Sequence, residues 1–193
     1  MFELEYKGGN AVTMASKKAV AIFDPKVSLV GLKDLKTKDA VVVATETRFV
    51  SVDGEPRLII DGPGDYEVAD FTIRGIAATR HIDTPEQEKL ATAYRLECGD
   101  MRVAILGNID AKLSEEQYEA LGVVDVLVIP VGGGGYTLDA TSASAIVRAI
   151  EPKIVIPVHY AAAGLNYEVS QDNLETFIKE LGAPVEQSAK LKL

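Results

Sequence analysis

The stretch between residues 123 and 160 constrains the fold more than any other part of the chain. Val124 to Val131 is a short apolar run rich in β-branched residues, and this predicts a buried strand. Lys153 to Val158 predicts a second buried strand. Between them, Thr137 or Asp139 can cap a helix whose apolar residues recur at helical spacing. Together these elements form a βαβ unit, so we expect two parallel strands joined by a right-handed crossover.

The loops after these two strands carry the first candidate functional residues. Gly132 to Gly135 follow the first strand, and His159 follows the second. Since ligands in open α/β sheets bind beyond the carboxyl ends of the strands, we expect both at the same edge. Backbone N–H groups of the glycine run could face an anion, but the run matches neither the P-loop nor the dinucleotide fingerprint. The favoured interpretation of the glycine run is a flexible turn. The favoured interpretation of His159 is a packed, hydrogen-bonded side chain.

The two halves of the chain differ in the elements they predict. Strands dominate the first half, whereas helices and strands alternate in the second, which is typical of an α/β (α+β) protein. Phe49 to Val52 predicts a short strand after the buried strand at Asp39 to Ala44. The apolar spacing of Ser170 to Leu181 predicts a last helix. No linker divides the chain, so we expect a single domain over residues 1–193.

Charge, cysteine content and hydropathy exclude several classes of protein. The formal net charge is -9, which argues against nucleic acid as a partner because phosphate neutralisation needs clustered Lys and Arg. A single cysteine, Cys98, excludes an intrachain disulfide and a Cys-based zinc cluster. No apolar run reaches about 18 residues, so we expect a soluble, cytoplasmic protein that does not use a membrane.

The chain contains two histidines, His81 and His159. Metallohydrolases bind each ion with several imidazole and carboxylate groups, so two histidines cannot fill a pair of zinc sites. His81 lies in a predicted loop, where solvent exposure is the favoured interpretation. Carboxylates are available at several positions that the sequence does not pair with one another: Asp24, Asp61, Asp65, Glu67, Asp83 and Asp110.

Five segments occur in an order that resembles a known family. They are Asp24-Pro25, Ile60 to Val68, Ile105 to Asn108, Val128 to Gly133 and Ile156 to Tyr160. Together they resemble the metallo-β-lactamase fold, most closely the branch of small Zn-dependent hydrolase-like proteins related to the ascorbate-phosphate lactonases. The resemblance covers nearly the whole chain. It implies a four-layer αββα sandwich, with two mixed sheets face to face and helices outside.

The metal-binding motif of that family is degenerate here. Its hallmark, T/S-H-x-H-x-D-H, follows the strand that ends at Val43. The first two histidines of the hallmark fall on Thr45 and Thr47, its aspartate falls on Phe49, and its last histidine falls on Val50. The family's next histidine falls on Arg80, with His81 one place later, and its bridging aspartate falls on Asn108. The Gly-His near the family's N-terminus is Gly8-Gly9 here. Of the usual ligands, only His159 stands in place.

The missing ligands predict a protein without a metal cofactor. Structural zinc binding is worth roughly 10–16 kcal/mol, so each of four ligands contributes on the order of 3 kcal/mol. Losing two ligands therefore weakens binding by about 10⁴-fold, and more than two are missing here. Without a metal there is no metal-activated water and no Lewis acid. We therefore expect a catalytically inactive homologue that acts as a binding or interaction module.

We expect the vestigial cleft of this module to hold a small anionic ligand. Its predicted lining is Thr45, Thr47, Arg48, Asn108, Gly133, Gly134 and His159. Arg48 and Arg80 near the glycine loop could bind a phosphate or carboxylate.

Two other interpretations stay open. One is a metal-dependent hydrolase of phosphodiesters, phosphate esters or lactones, with a rebuilt single-ion site drawn from Glu46, His81, Asp83, Asn108, Asp110 and His159. The other is an assembly subunit, in which Phe49 and Val50 form an interface with a protein partner instead of filling the cleft. A homodimer is the default expectation for such an assembly.

Overall fold

The computed structural model describes residues 2–82 and 90–193. The polar sequence of residues 84–89 predicts a loop, but this segment and the candidate carboxylate Asp83 lie outside the described residues. None of the helices in the described ranges has the length and apolar character needed to cross a bilayer.

The first sheet has six strands in the order β12-β1-β2-β3-β4-β5. Their bounds are Glu3–Gly8 (β1), Ala11–Ala15 (β2), Val20–Phe23 (β3), Val41–Val43 (β4), Leu58–Ile60 (β5) and Leu191–Lys192 (β12). β1, β2 and β3 form an antiparallel meander, whereas β3, β4 and β5 run parallel. β4 is three consecutive valines, all buried, as expected for a central strand covered on both faces.

The second sheet also has six strands, in the order β11-β10-β9-β8-β7-β6. Their bounds are Gly64–Val68 (β6), Phe71–Ala78 (β7), Ala91–Cys98 (β8), Met101–Ile105 (β9), Val126–Pro130 (β10) and Ile154–Val158 (β11). β6 to β9 form an antiparallel meander, and β9, β10 and β11 are parallel. The predicted βαβ unit is therefore confirmed.

Three α-helices join the strands of the second half, and side chains cap each of them. Their bounds are Glu115–Leu121 (α1), Ala140–Ile150 (α2) and Leu174–Leu181 (α3). Asp139 caps α2 by accepting a hydrogen bond from the N–H of Ser142. The prediction that the last helix begins at Ser170 is wrong. Asn173 caps α3, accepting from the N–H of Thr176, because an Asn side chain satisfies an unpaired N–H at a helix start.

A second correction concerns residues 49–52, which were predicted to form a strand. Thr47–Phe49 is instead a short 3₁₀ helix. Its N-cap residue Glu46 is extended, and its side chain is engaged in tertiary contacts described below. Phe49 lies in this turn despite its β-propensity, and Val50 is extended but belongs to no strand.

Apolar side chains from the two sheets form the central core. Phe23 of β3 and Tyr94 of β8 meet there with ring centroids 6.0 Å apart, and both are fully buried. A second apolar cluster lies between the other face of the second sheet and the three α-helices. A smaller one lies under the 3₁₀ helix Val27–Val30, on the outer face of the first sheet. Two six-stranded sheets face to face with helices outside confirm the predicted sandwich of the metallo-β-lactamase type.

Candidate functional site

The carboxyl ends of strands from both sheets meet at one edge of the sandwich. Glu46 follows β4 of the first sheet, while Arg80, Asn108 and His159 follow β7, β9 and β11 of the second. Backbone hydrogen bonds join the two sheets here, including one from the N–H of His159 to the carbonyl of Gly9, at 2.7 Å. Four side chains from distant parts of the sequence therefore lie at the same edge.

The carboxylate of Glu46 is the centre of this arrangement, with only 3% of its side chain exposed. Nη2 of Arg48 donates to Oε1 at 3.0 Å, and Nε lies 2.8 Å from Oε2 in an ion-pair contact that lacks the alignment of a hydrogen bond. Nη1 of Arg80 lies 3.5 Å from Oε2, and the amide nitrogen of Asn108 donates to Oε1 at 3.2 Å. Burial lowers the pKa of Arg48, but the hydrogen bond and charge of Glu46 outweigh burial and hold that pKa above its ordinary value.

A second buried carboxyl group, that of Asp24, lies beside this centre. It follows β3 and accepts two hydrogen bonds from Thr45, one from the backbone N–H and one from the hydroxyl group, both at 2.7 Å. Burial raises the pKa of Asp24 to about 7, although the two hydrogen bonds from Thr45 lower it. Thr45 is itself fully buried. A residue at a family ligand position thus serves as a hydrogen-bond donor to a neighbouring strand.

His159 is buried at the end of β11 in a left-handed conformation, with φ of 51°. Its Nδ1 lies 3.1 Å from the side-chain oxygen of Gln171, and the amide nitrogen of Gln171 donates to the carbonyl of Val169 at 2.9 Å. Because that second bond fixes the amide, Nδ1 carries the proton and donates to Gln171. Burial lowers the pKa of His159 to about 4, so the ring is neutral at pH 7. Nε2 then holds a lone pair.

Aromatic rings and a guanidinium group stack next to His159 along a small, open cleft of about 40 Å³. The Tyr136 ring lies nearly parallel to the His159 ring, with centroids 5.7 Å apart, and the Tyr167 ring lies 4.7 Å away on a tilted plane. Cζ of Arg48 lies 4.7 Å from the centroid of Phe49 and 5.1 Å from that of Tyr136. Cation–π geometry therefore orients Arg48 as well as its ion pair.

The predicted site residues fall into two groups. Arg48 and His159 line the cleft, and Thr45, Arg80 and Asn108 lie in the buried polar centre around Asp24 and Glu46. The side chain of Thr47 is exposed at the start of its 3₁₀ helix.

The remaining predicted residues are engaged elsewhere. The N–H of Gly133 donates to the carbonyl of Leu138 inside the loop, and a Cβ on Gly134 would lie 2.4 Å from the carbonyl oxygen of Ser170. The glycine loop therefore packs against the segment before α3. The backbone N–H of His81 donates to the carbonyl of Asn108, but no described residue bonds its buried Nδ1.

Sequence reasoning missed several residues of the site. The sequence left open whether Phe49 fills the cleft or forms an interface; Phe49 is buried and lines the cleft, which stays open beside it. Tyr136, Tyr167, Glu168 and Gln171 also line the cleft. The position of Tyr136 directly after the glycine loop was a usable signal. The other three belong to an irregular segment that no periodicity marks.

The donor groups at this edge do not fit the metal centre that the fold family implies. Across residues 2–82 and 90–193, no group of three or more His, Cys, Asp or Glu side chains is arranged to hold a metal ion. Apart from His159, the groups at the family's ligand positions are hydroxyl, amide, guanidinium and hydrocarbon groups, which are poor or impossible ligands for zinc. One buried acceptor here, Oδ1 of Asn108, lacks a hydrogen-bond partner among the described residues.

Sequence comparison identifies relatives over most of the chain. The beta-lactamase superfamily domain matches residues 3–159. A UPF0173 protein of Pyrococcus furiosus is 32% identical over 149 residues, covering 76% of this chain and 64% of that relative. A UPF0173 protein of Pyrococcus abyssi is 29% identical over 155 residues, covering 76% and 70%. The matched part thus spans less than two thirds of the Pyrococcus furiosus relative.

Solved structures share the fold. A Thermotoga maritima protein assigned as a Zn-dependent hydrolase of the metallo-beta-lactamase superfamily aligns with a TM-score of 0.80 at 24% identity, covering 100% of this chain and 93% of that one. A metallo hydrolase from Ignicoccus hospitalis aligns with a TM-score of 0.64 at 16% identity, covering 94% and 90%. These identities establish the fold alone. With the family match over residues 3–159, they show that this chain belongs to the beta-lactamase superfamily and has the metallo-β-lactamase fold.

Proposed function

We propose that this chain is a metal-free, non-hydrolytic member of its superfamily that binds a small organic ligand in the cleft beside His159. One observation carries the proposal: residues at or next to the family's metal-ligand positions bind Glu46 instead. Arg80 and Asn108, which stand where the family has a histidine and an aspartate, both contact its carboxylate. Arg48 completes the cluster with two contacts.

Electrostatics supports the proposal. Among the residues that the structure describes, the only acidic group at the centre of this cluster is that of Glu46, which is already paired with two guanidinium groups. A divalent cation placed there would compete with both guanidinium groups and be repelled by their charges. Asp24 is already engaged, because both of its carboxyl oxygens accept hydrogen bonds from Thr45. Without an ion to activate water, the neutral His159 ring and the sealed Asp24 offer no ready hydrolytic machinery.

Elemental analysis tests the proposal. Protein purified without chelator is expected to contain zinc, manganese and iron at far below one ion per chain. Dialysis against EDTA should leave the midpoint of thermal unfolding unchanged, because no ligand of the native state is removed. A stoichiometric metal that EDTA removes, with a fall in the unfolding midpoint, would show that the proposal is wrong.

A rebuilt single-ion hydrolase is the second candidate, and one observation favours it. Nδ1 of His81 and Oδ1 of Asn108 are buried without hydrogen-bond partners among the described residues, and the two residues are joined by a backbone hydrogen bond of 2.8 Å. This candidate predicts that the protein hydrolyses a phosphodiester or a lactone. Either His81→Ala or His159→Ala should abolish that activity. The matched control is Thr47→Ala, an exposed position outside the cluster, which should retain activity.

A protein partner or homodimer stays a prediction. Size-exclusion chromatography with light scattering distinguishes a monomer from a dimer.

A further inference from the structure

A long exposed segment connects β12 to the rest of the fold. Gly182 caps the end of α3, and residues 182–190 are all exposed before β12 begins at Leu191. Within the described part of the chain, no hydrogen bond joins residues 183–189 to another helix or strand. The segment crosses from the helices on the second sheet to the edge of the first sheet. Its path can therefore change without breaking a hydrogen bond to the rest of the fold.

The contacts that hold β12 against β1 are few and specific. Phe2 and Leu193 exchange two backbone hydrogen bonds, each of 2.9 Å. The pair Glu3–Lys192 continues the antiparallel register. Leu191 and Leu193 pack against the central core. All of these contacts would form in the same way with β1 of a second copy of the chain.

Charge complementarity favours this segment at the edge of β1. Nζ of Lys190 lies 3.6 Å from Oε2 of Glu3 and 3.5 Å from Oε2 of Glu5, and Nζ of Lys192 lies 3.6 Å from Oε1 of Glu3. Each of these exposed ion pairs contributes little to stability. Together they match an acidic strand with one in which lysine and leucine alternate, and so specify the strand that pairs there. The occupant that this edge fits is therefore β12 of the same chain or of another copy.

Val185 lies in the middle of the exposed segment. It has 59% of its surface exposed, and of the large apolar residues that the structure describes only Val123 is more exposed, at 62%. If two copies exchanged β12, their connecting segments would meet around a two-fold axis. Val185 of each copy would then lose apolar surface to the other, which would favour the dimer.

We propose that two copies of this chain form a dimer by exchanging β12, so that β12 of each copy pairs with β1 of the other. The monomer and the dimer contain the same strand pairing and differ in the path of residues 182–190. Within one chain, a flexible connection gives β12 an effective concentration in the millimolar range, so exchange is expected when the protein folds at similar concentrations. The exchange does not depend on the cleft or on metal content.

Cysteine pairing across the edge of β1 tests the exchange. Because Phe2 and Leu193 are a hydrogen-bonded pair, the next pair, Glu3 and Lys192, is not hydrogen-bonded and its side chains are closer. Two full-length chains with Cys98→Ser, one carrying Glu3→Cys and the other Lys192→Cys, are unfolded, mixed and refolded at about 1 mM and about 10 µM. Disulfide-linked dimers are expected to be at least about tenfold more abundant at the higher concentration. Size-exclusion chromatography with light scattering should show a dimer in the same sample.

A control mixture separates the exchange from random disulfide formation. It contains the Lys192→Cys chain and a Val123→Cys chain, because Val123 is exposed in the loop between α1 and β10 and not on β1. This mixture should form few linked dimers at either concentration. Equal cross-linking in the two mixtures, or a monomer by light scattering at the higher concentration, overturns the proposal.

A matched pair of variants tests the part played by the connecting segment. Val185→Asp should lower the dimer fraction severalfold, because two carboxylates would face each other where apolar surface is buried. Val123→Asp should leave the dimer fraction unchanged. Circular dichroism checks the fold of both variants. An equal dimer fraction in the two variants would show that the place given to Val185 in the dimer is wrong.

Discussion

Two buried carboxylates, Glu46 and Asp125, lie at opposite ends of the sandwich, and each is paired with two cationic side chains. Both are 3% exposed. Asp125 precedes β10 and accepts from Nε of Arg102 at 2.9 Å, while Nζ of Lys153 lies 2.7 Å away. Glu46 follows β4 and is bound by Arg48 and Arg80. Each cluster has one carboxylate and two cationic side chains, but the clusters lie at different ends of the strands.

The difference lies in what surrounds each cluster. Asp125 lies at the amino ends of the parallel strands, where α/β sheets do not bind ligands, and the Nζ group of Lys153 is largely solvated, its side chain 74% exposed. Glu46 lies at the carboxyl ends, beneath a cleft. A carboxylate bound by two cations therefore also occurs in this protein away from the cleft, which supports the proposal that the similar arrangement at Glu46 is structural.

The largest expected effect comes from neutralising the two carboxylates. Glu46→Gln should reduce the free energy of unfolding by about 3–5 kcal/mol, because it leaves two guanidinium groups at a buried position without their counter-charge. Asp125→Asn should cost less, because water can solvate Lys153 and part of Arg102 once the carboxylate is gone. Urea unfolding of both variants gives the comparison. Equal losses would show that the two clusters are energetically the same.

A pH series distinguishes two buried groups at the cleft end of the molecule, Asp24 and His159. Asp24, with its pKa raised from 3.8 to about 7, keeps a proton in the folded state that the unfolded chain releases, so it makes stability fall as pH rises through that window. His159, with its pKa lowered from 6.5 to about 4, makes stability rise between those values, because only the unfolded chain takes up the proton. The two slopes are opposite and largely cancel in the original protein.

Single variants should reveal each slope. Between pH 4 and 6.5, Asp24→Asn should become more stable as pH rises and His159→Gln less stable, each by up to about 1.4 kcal/mol per pH unit. Asp125 should contribute below this window, because Arg102 first and then Lys153 hold its pKa well below its ordinary value. Urea unfolding across this range provides the measurement. Identical slopes in the two variants would contradict the assignment of these groups.

The smallest effect concerns the glycine loop at the cleft. Gly134 and Gly135 both have positive φ, 67° and 71°, so alanine at either position costs about 1 kcal/mol in backbone strain. Only at Gly134 would the new Cβ meet the carbonyl of Ser170. Gly134→Ala should therefore be less stable than Gly135→Ala by roughly 1–3 kcal/mol. Similar stabilities would show that the loop does not pack against the segment before α3.

Sequence patterns predicted the fold well where local and tertiary preferences agree. The βαβ unit from β10 to β11 followed from β-branched runs on either side of a capped amphipathic helix, and the structure has both strands, the helix and its Asp139 cap. The strand predicted at Phe49 to Val52 was wrong, since Phe49 ends a 3₁₀ helix and Val50 belongs to no strand. Asn173 replaced Ser170 as the start of α3 because the segment between them packs on the glycine loop.

The candidate site was predictable only in part. The places of Arg80, Asn108 and His159 at strand ends came from the order of segments along the chain. The sequence did not predict that these residues converge with Glu46. Glu46 and Asn108 are 62 residues apart, and no short-range pattern relates them. Tyr167, Glu168 and Gln171 lie in an irregular segment without periodicity, and only packing brings them to His159.

The sequence by itself determined the layered α/β architecture, the edge at which a site can form, and the loss of the family's metal ligands, because periodicity, turn residues and side-chain chemistry are local properties. The tertiary structure decided what replaced those ligands. Whether Glu46 meets a guanidinium group, a metal or water depends on which strand ends face one another and how deeply they are buried. The burial that sets the ionisation of Asp24 and His159 exists only once the two sheets have packed together. The same packing sets the distances between the side chains at the strand ends.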